Sequence, residues 1–134
     1  MAAALLGEPT TGEEASRILA GRWDLAAPAH WKAELSNVIW KAVRLKRLDA
    51  GKVDGVLSLA EALPILSVEV SQLWRGAVAR AIAADHTVYD ALFVELALRL
   101  ETYVASYDRR LRTRFPKHVR LPGDLLRRGV RKEP

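Results

Sequence analysis

The sequence predicts an α/β domain of three layers with a mainly parallel central sheet. Three observations point there. Apolar residues recur at helical spacing in several segments, short branched or alternating runs separate those segments, and no repeat or long linker breaks the order. At 134 residues, half of them apolar, the chain is long enough for one substantial core. Residues 1–134 therefore read as one domain, with a basic tail over 123–134.

The elements follow in chain order. "AAALLGEP" begins in a helical pattern and is closed by Gly7 and Pro9. In "TTGEEASRILAGRW", Thr10 and Thr11 stand three residues before Glu13 and Glu14, the spacing of a capping box, while Ile18 and Leu19 supply a buried stripe. "WDLAAPAH" reads as a short buried strand ended by Pro28. "HWKAELSNVIWKAVRLKRL" is the clearest amphipathic helix, with Trp31, Leu35, Val38, Ile39 and Ala42 on one face. "DAGKVDGVLSLAEAL" predicts a helix weakened by Gly51 and Gly55, broken at Pro64. "PILSVEV" then alternates with a period of two, setting Leu66, Val68 and Val70 on one side of a strand. "SQLWRGAVARAIAADH" and "TVYDALFVELALRLE" predict two helices parted near Asp85 and His86. "TYVASYD" is rich in strand formers, "DRRLRTRF" is a short helix, and "KHVRLP" is a final edge strand before a helical or loose tail.

Composition removes several classes of function. The chain has no cysteine, which excludes disulfides, thiolate metal sites and a thiol nucleophile, and fits a cytoplasmic protein. Charges interrupt every apolar stretch before it reaches the roughly 18 residues of a membrane span. No glycine-rich phosphate loop, nucleophile elbow or dinucleotide fingerprint is present. His30, His86 and His118 show no partner three or four residues on, which argues against zinc. Charge is unevenly divided: residues 1–108 carry a balance of −3 and residues 109–134 a balance of +8. A basic block beside an acidic body suits either a polyanion-binding surface or a solvated terminus.

Three acids stand out as candidates for a site: Glu34, Asp90 and Asp108. Each has an ordinary alternative. Glu34 suits the dipole of its helix's first turn, Asp90 completes a capping box with Thr87, and Asp108 caps "DRRLRTRF". Taken together, each falls where a helix meets a predicted strand end or sheet face. Clustered carboxylates repel unless a cation neutralises them. Hard oxygen ligands without histidine or cysteine favour Mg²⁺ or Mn²⁺. The four tryptophans suit a core or an interface more than a stacking platform.

"AELSNVIWKAVRLKRLD", "TVYDALFVELALRLE" and "YVASYDRRL", in that order and spacing, resemble the PIN-domain ribonucleases, and more closely the toxins of VapBC-type toxin–antitoxin pairs. The resemblance extends over nearly the whole chain. It implies a metal-dependent endoribonuclease that hydrolyses RNA phosphodiesters with Mg²⁺ or Mn²⁺. It also implies a cognate antitoxin protein and a second copy of the chain as partners, with the helix of Trp31 and Trp40 a candidate for one contact. Carried over by motif, Glu34, Asp90 and Asp108 are the catalytic and metal-binding acids. Ser106 orients the site, Asn37 supports Glu34, and Arg109 and Arg110 meet RNA phosphate. The family pattern opens with a strand ending in an aspartate, whereas Met1 falls inside the helix that follows it. The expectation is a natural start upstream of Met1, and weak or no activity from the chain as written. A non-catalytic PIN-like scaffold is the rival class, and a plain α/β domain with a basic tail is a third.

Overall fold

The structure, a computed structural model, describes residues 9–21 and 23–128. The helix expected over "AAALLGEP" lies outside these residues, except for Pro9. The chain divides into two compact units: Met1–Ala26 with His30–Leu66, and Ala27–Ala29 with Ser67–Pro134.

In the first unit, α1 spans Pro9–Ala20. Its start corrects the expected capping box, because Thr10 and Thr11 lie within the helix. Proline at the first described position has its φ already set for a helix and donates no amide. Helix α2, Trp31–Arg44, buries Trp31, Leu35, Ile39 and Ala42 at intervals of four, four and three. Val38, expected on that face, is exposed. Asp49 ends the following loop by accepting from the Gly51 amide at 2.7 Å, which starts a 3-10 turn over Ala50–Lys52. Helix α3, Val53–Glu61, follows it and tolerates Gly55, with Val56 and Ala60 buried.

Strands β1, Leu25–Pro28, and β2, Ile65–Val68, pair in a two-stranded sheet. Pro28 has no amide to donate, and the next residue takes over as Ala29 N–H donates to Val68 O at 2.8 Å. The alternation expected for "PILSVEV" is not kept. Leu66 is exposed, and Val70 already belongs to the next helix. A strand of four residues pairs too briefly to impose a period of two on its neighbours.

In the second unit, α4, Val70–Ala84, and α5, Val88–Arg99, form the most extensive helix pair. Asp85 reverses the chain between them with φ 49°, a left-handed conformation that ends the helix without glycine. Leu73, Ala77 and Ala81 give α4 a narrow buried stripe at intervals of four. Helix α5 is buried on most of its circumference, through Ala91, Leu92, Val94, Glu95, Leu96 and Ala97. The small side chains of α4 let the helices approach closely.

Inside that contact lies a charge. Glu95, only 6% exposed, accepts from Arg80 Nε at 2.6 Å and from Arg99 Nε at 3.0 Å. A Cβ built on Gly76 of α4 would collide with the Glu95 carboxylate. Strands β3, Val104–Ala105, and β4, Val119–Arg120, then pair in parallel. Between them α6 spans Arg109–Arg114, and α7, Pro122–Arg128, follows β4. Val94, Leu111, Phe115 and Val119 form a buried cluster on which Ala84, Leu98 and Val104 pack. Among the described residues the strands form two separate two-stranded sheets.

The pinned carboxylate gives Gly76 a definite cost of substitution. Gly76→Ala is expected to destabilise the fold by about 1–3 kcal/mol, the usual range for overpacking. In a Glu95→Ala background the same change should instead stabilise by up to about 1 kcal/mol, through helix propensity. Urea unfolding of the four chains checks this, and an unchanged effect of Gly76→Ala in both backgrounds would refute the collision.

Two titrating groups set the acid limit. Burial alone would raise the Glu95 carboxyl, but the hydrogen bonds and charges of Arg80 and Arg99 outweigh it and hold the group below its ordinary 4.5. Burial first, then the charges of Arg80, Lys117 and Arg120, lowers the His118 ring below its ordinary 6.5. In both cases the unfolded chain takes up the proton more readily. Stability is thus full above the unfolded value and is lost as pH falls through the folded one. The urea midpoint should begin to fall on acidification below 6.5 and fall again below 4.5. His118→Gln should remove the first decline, and Glu95→Gln should flatten the second.

Candidate active site

Asp90 sits in the first turn of α5, half-buried. Its Oδ2 lies 2.8 Å from His86 Nε2 and accepts from Thr87 Oγ1 at 3.3 Å. His86 stands one turn earlier with its side chain 3% exposed, edge-on to Phe115 at 5.9 Å between centroids. Its Nδ1 is buried without a hydrogen-bond partner among the described residues. The neutral ring therefore carries its proton on Nε2. The other tautomer would set a lone pair against a carboxylate and bury an unmatched N–H. Thr87 is the N-cap residue in an extended conformation, but its hydroxyl makes no cap hydrogen bond to the backbone. It donates to Asp90 instead, so the capping box expected from the sequence is not formed. Oδ1 of Asp90 has no hydrogen bond among the described residues.

Asp108 keeps the capping role foreseen for it. Its Oδ1 accepts from Leu111 N–H at 2.9 Å and starts α6. Ser106 Oγ accepts from the Asp108 amide at 3.0 Å, and the Ser106 amide donates to Arg120 O at 3.0 Å. Pairing of β3 with β4 thus fixes Ser106, and Ser106 fixes the turn that presents Asp108. Arg112 reaches back to Ser106 O at 3.3 Å.

Glu34 belongs to the first unit, in the first turn of α2. It lies 3.4 Å from His30 Nε2, one turn earlier, with 42% of its side chain exposed. Asn37, on the same helix, is exposed. Asp90, Asp108, Ser106, Arg109 and Arg110 belong to the second unit.

The histidines correct one expectation. His30 and His86 each precede a candidate acid by four residues and contact it. The spacing His-x-x-x-acid is present in the sequence, but a search for histidine partners of histidine does not find it. Glu95 also escapes a reading by pattern, since it falls in the middle of an apolar run. Its i,i+4 partner Arg99 is a legible signal, whereas Arg80 comes from another helix.

Carboxylate and hydroxyl oxygens are the donor chemistry that Mg²⁺ or Mn²⁺ prefers. Among the described residues, however, no three His, Cys, Asp or Glu side chains gather closely enough to hold an ion. No described helix is long and apolar enough to cross a membrane. Arg109 and Arg110 are exposed and line a shallow groove of about 510 Å³ with Thr113 and Arg114.

No family model matches the sequence. Two curated relatives do, the ribonuclease VapC3 of two strains of Mycobacterium tuberculosis. Each is 30% identical over 112 residues, covering 84% of this chain and 80% of the relative.

The His86–Asp90 geometry makes a spectroscopic prediction. Long-range ¹H–¹⁵N correlation of the imidazoles should find His86 protonated on Nε2 in its neutral form, and Asp90→Ala should alter that signal selectively. A ring protonated on Nδ1 would contradict the arrangement.

Proposed function

Because the chain belongs to the VapC ribonuclease family, we propose that it is an endoribonuclease of the toxin class, hydrolysing RNA phosphodiester bonds. The observation that carries the proposal is the relation to ribonucleases along 112 residues, which takes in the segments of all three candidate acids. Geometry supports it locally. The turn held by Ser106 presents Asp108 at the start of a helix whose exposed face is arginine, setting an acid beside cations suited to phosphate.

Glu34, Asp90 and Asp108 are the acids assigned to the site, with Ser106 holding the Asp108 turn and Asn37 on the Glu34 helix. His86 and Thr87 occupy Oδ2 of Asp90, so Oδ1 is the oxygen directed to the reaction. Asp108 uses Oδ1 for its cap, so Oδ2 is its free oxygen. Arg109 and Arg110 contact RNA phosphate. Mg²⁺ or Mn²⁺ is the cofactor proposed from the family. Among the described residues no three His, Cys, Asp or Glu side chains gather into an ion site. The proposal further includes a single three-layer PIN-like domain, a cognate antitoxin, a homodimer and a cytoplasmic setting. For partner contacts on α2, exposed Trp40 is the candidate and buried Trp31 is not.

A scaffold that binds RNA or protein without cutting is favoured by one observation, the absence of a gathered acid group among the described residues. Substitution at Asp108 separates the two. Serine caps a helix nearly as well as aspartate, so Asp108→Ser should keep stability while removing the carboxylate. We expect cleavage of single-stranded RNA in Mg²⁺ or Mn²⁺ to fall at least about a hundredfold in Asp108→Ser and in Asp90→Asn, in line with loss of a group that acts in the transition state. No cleavage by the unsubstituted chain would favour the scaffold, whereas unchanged cleavage in Asp108→Ser would remove Asp108 from the site.

A further inference from the structure

His86 is a costly residue for the fold to bury. Its side chain is 3% exposed, its ring packs edge-on against Phe115, and its Nδ1 has no hydrogen-bond partner among the described residues. A buried polar atom without a partner loses stability that an apolar side chain of similar volume would keep. The ring's polar contact is Nε2 to Oδ2 of Asp90, at 2.8 Å.

Asp90 does not need the imidazole for solvation. Its side chain keeps 32% of its surface exposed, so water reaches the carboxylate without help from His86. What water does not supply is a fixed direction. A first-turn aspartate turns about two side-chain torsions, and Thr87 Oγ1, exposed and at 3.3 Å, restrains it weakly.

The restraint from His86 is itself anchored. Phe115 is the C-cap residue of α6, the helix whose N-cap is Asp108, and it shares a buried cluster with Leu111, Val94 and Val119. Leu111 of that cluster donates the amide that holds Oδ1 of Asp108 at 2.9 Å. Val94 follows Asp90 by four residues on α5, so the two lie on one ridge of that helix. One packed cluster thus seats both the imidazole that holds Asp90 and the amide that holds Asp108.

We propose that His86 is a positioning residue of the nuclease reaction. It fixes the direction of the Asp90 carboxylate against the cluster that also seats the Asp108 turn. The ring is too deeply buried to touch RNA and acts through Asp90. This role rests on the nuclease function for the reaction affected, but not for the hold on Asp90.

The test compares two apolar fillers, His86→Leu and His86→Met, with His86→Gln, whose side-chain amide places an N–H near the position of Nε2. Urea unfolding reads stability, and initial rates of RNA cleavage read kcat and KM. The fillers should keep or raise the urea midpoint, because they remove the unmatched nitrogen. Their kcat should fall about tenfold to a hundredfold, the loss that follows a small misplacement of a reacting group. KM should stay within about twofold, since the substrate contacts are intact. His86→Gln should recover most of the lost kcat. A purely structural histidine gives the opposite pattern, a lowered midpoint and cleavage that follows the folded fraction.

Unchanged kcat in the folded fillers, a loss confined to KM, or no recovery in His86→Gln overturns the proposal. A second readout needs no cleavage. Three-bond couplings at the Asp90 β-protons should report one χ1 rotamer in the unsubstituted chain and in His86→Gln, and averaging in the fillers. A single rotamer retained in the fillers overturns the hold. The two readings fail separately. A chain that does not cut RNA, yet loses the Asp90 rotamer in the fillers, loses the nuclease and keeps His86 as the group that directs Asp90. One that cuts equally well in every variant keeps the nuclease and loses His86.

Discussion

The ion triad of Arg80, Glu95 and Arg99 governs how α4 and α5 meet. A carboxylate buried in a helix contact is costly unless its oxygens are matched, and in this pair each oxygen takes one guanidinium. The two arginines reach it from opposite helices and keep about half of their own surface in water. Their partial exposure limits the net gain from the pairing. What the triad supplies is register, because the carboxylate fits only where Gly76 leaves room for it.

From that register much of the second unit follows. Val94, beside Glu95 on α5, joins Leu111, Phe115 and Val119 in the cluster that seats α6 and β4. The same helix carries Asp90 in its first turn, and Phe115 closes over His86, the histidine that holds Asp90. Asp90 is thus positioned by packing on one side and by local hydrogen bonds on the other. Asp108 depends on a different support, the parallel pairing of β3 and β4 that fixes Ser106. Two residues in each strand suffice, because the turn after Ser106 is closed by side-chain bonds.

Every candidate acid has a local structural role as well as a proposed catalytic one. Asp108 caps a helix, Asp90 receives His86 and Thr87, and Glu34 stands beside His30. This dual use explains why residue patterns alone do not separate structure from function at these positions. Both roles ask for an acid in the first turn of a helix. The distinction lies in individual oxygens, since the cap or donor takes one oxygen of Asp108 and of Asp90 and leaves the other. Residue type and spacing do not reach that level of detail.

The sequence by itself determined the order of helices and strands among the described residues, the amphipathic face of Trp31, Leu35, Ile39 and Ala42, the break at Asp85 and His86, and the cap at Asp108. These are local properties, set by periodicity and by hydrogen bonds within a few residues. The burial of Glu95, the close approach allowed by Gly76 and the seating of His86 under Phe115 were decided only in three dimensions. Each joins residues from different elements, and no periodicity in a single segment records which helix will supply the partner. Even the exposure of Val38 and Leu66 is of this kind, because a helical or strand period names a face, whereas burial depends on what is brought against it.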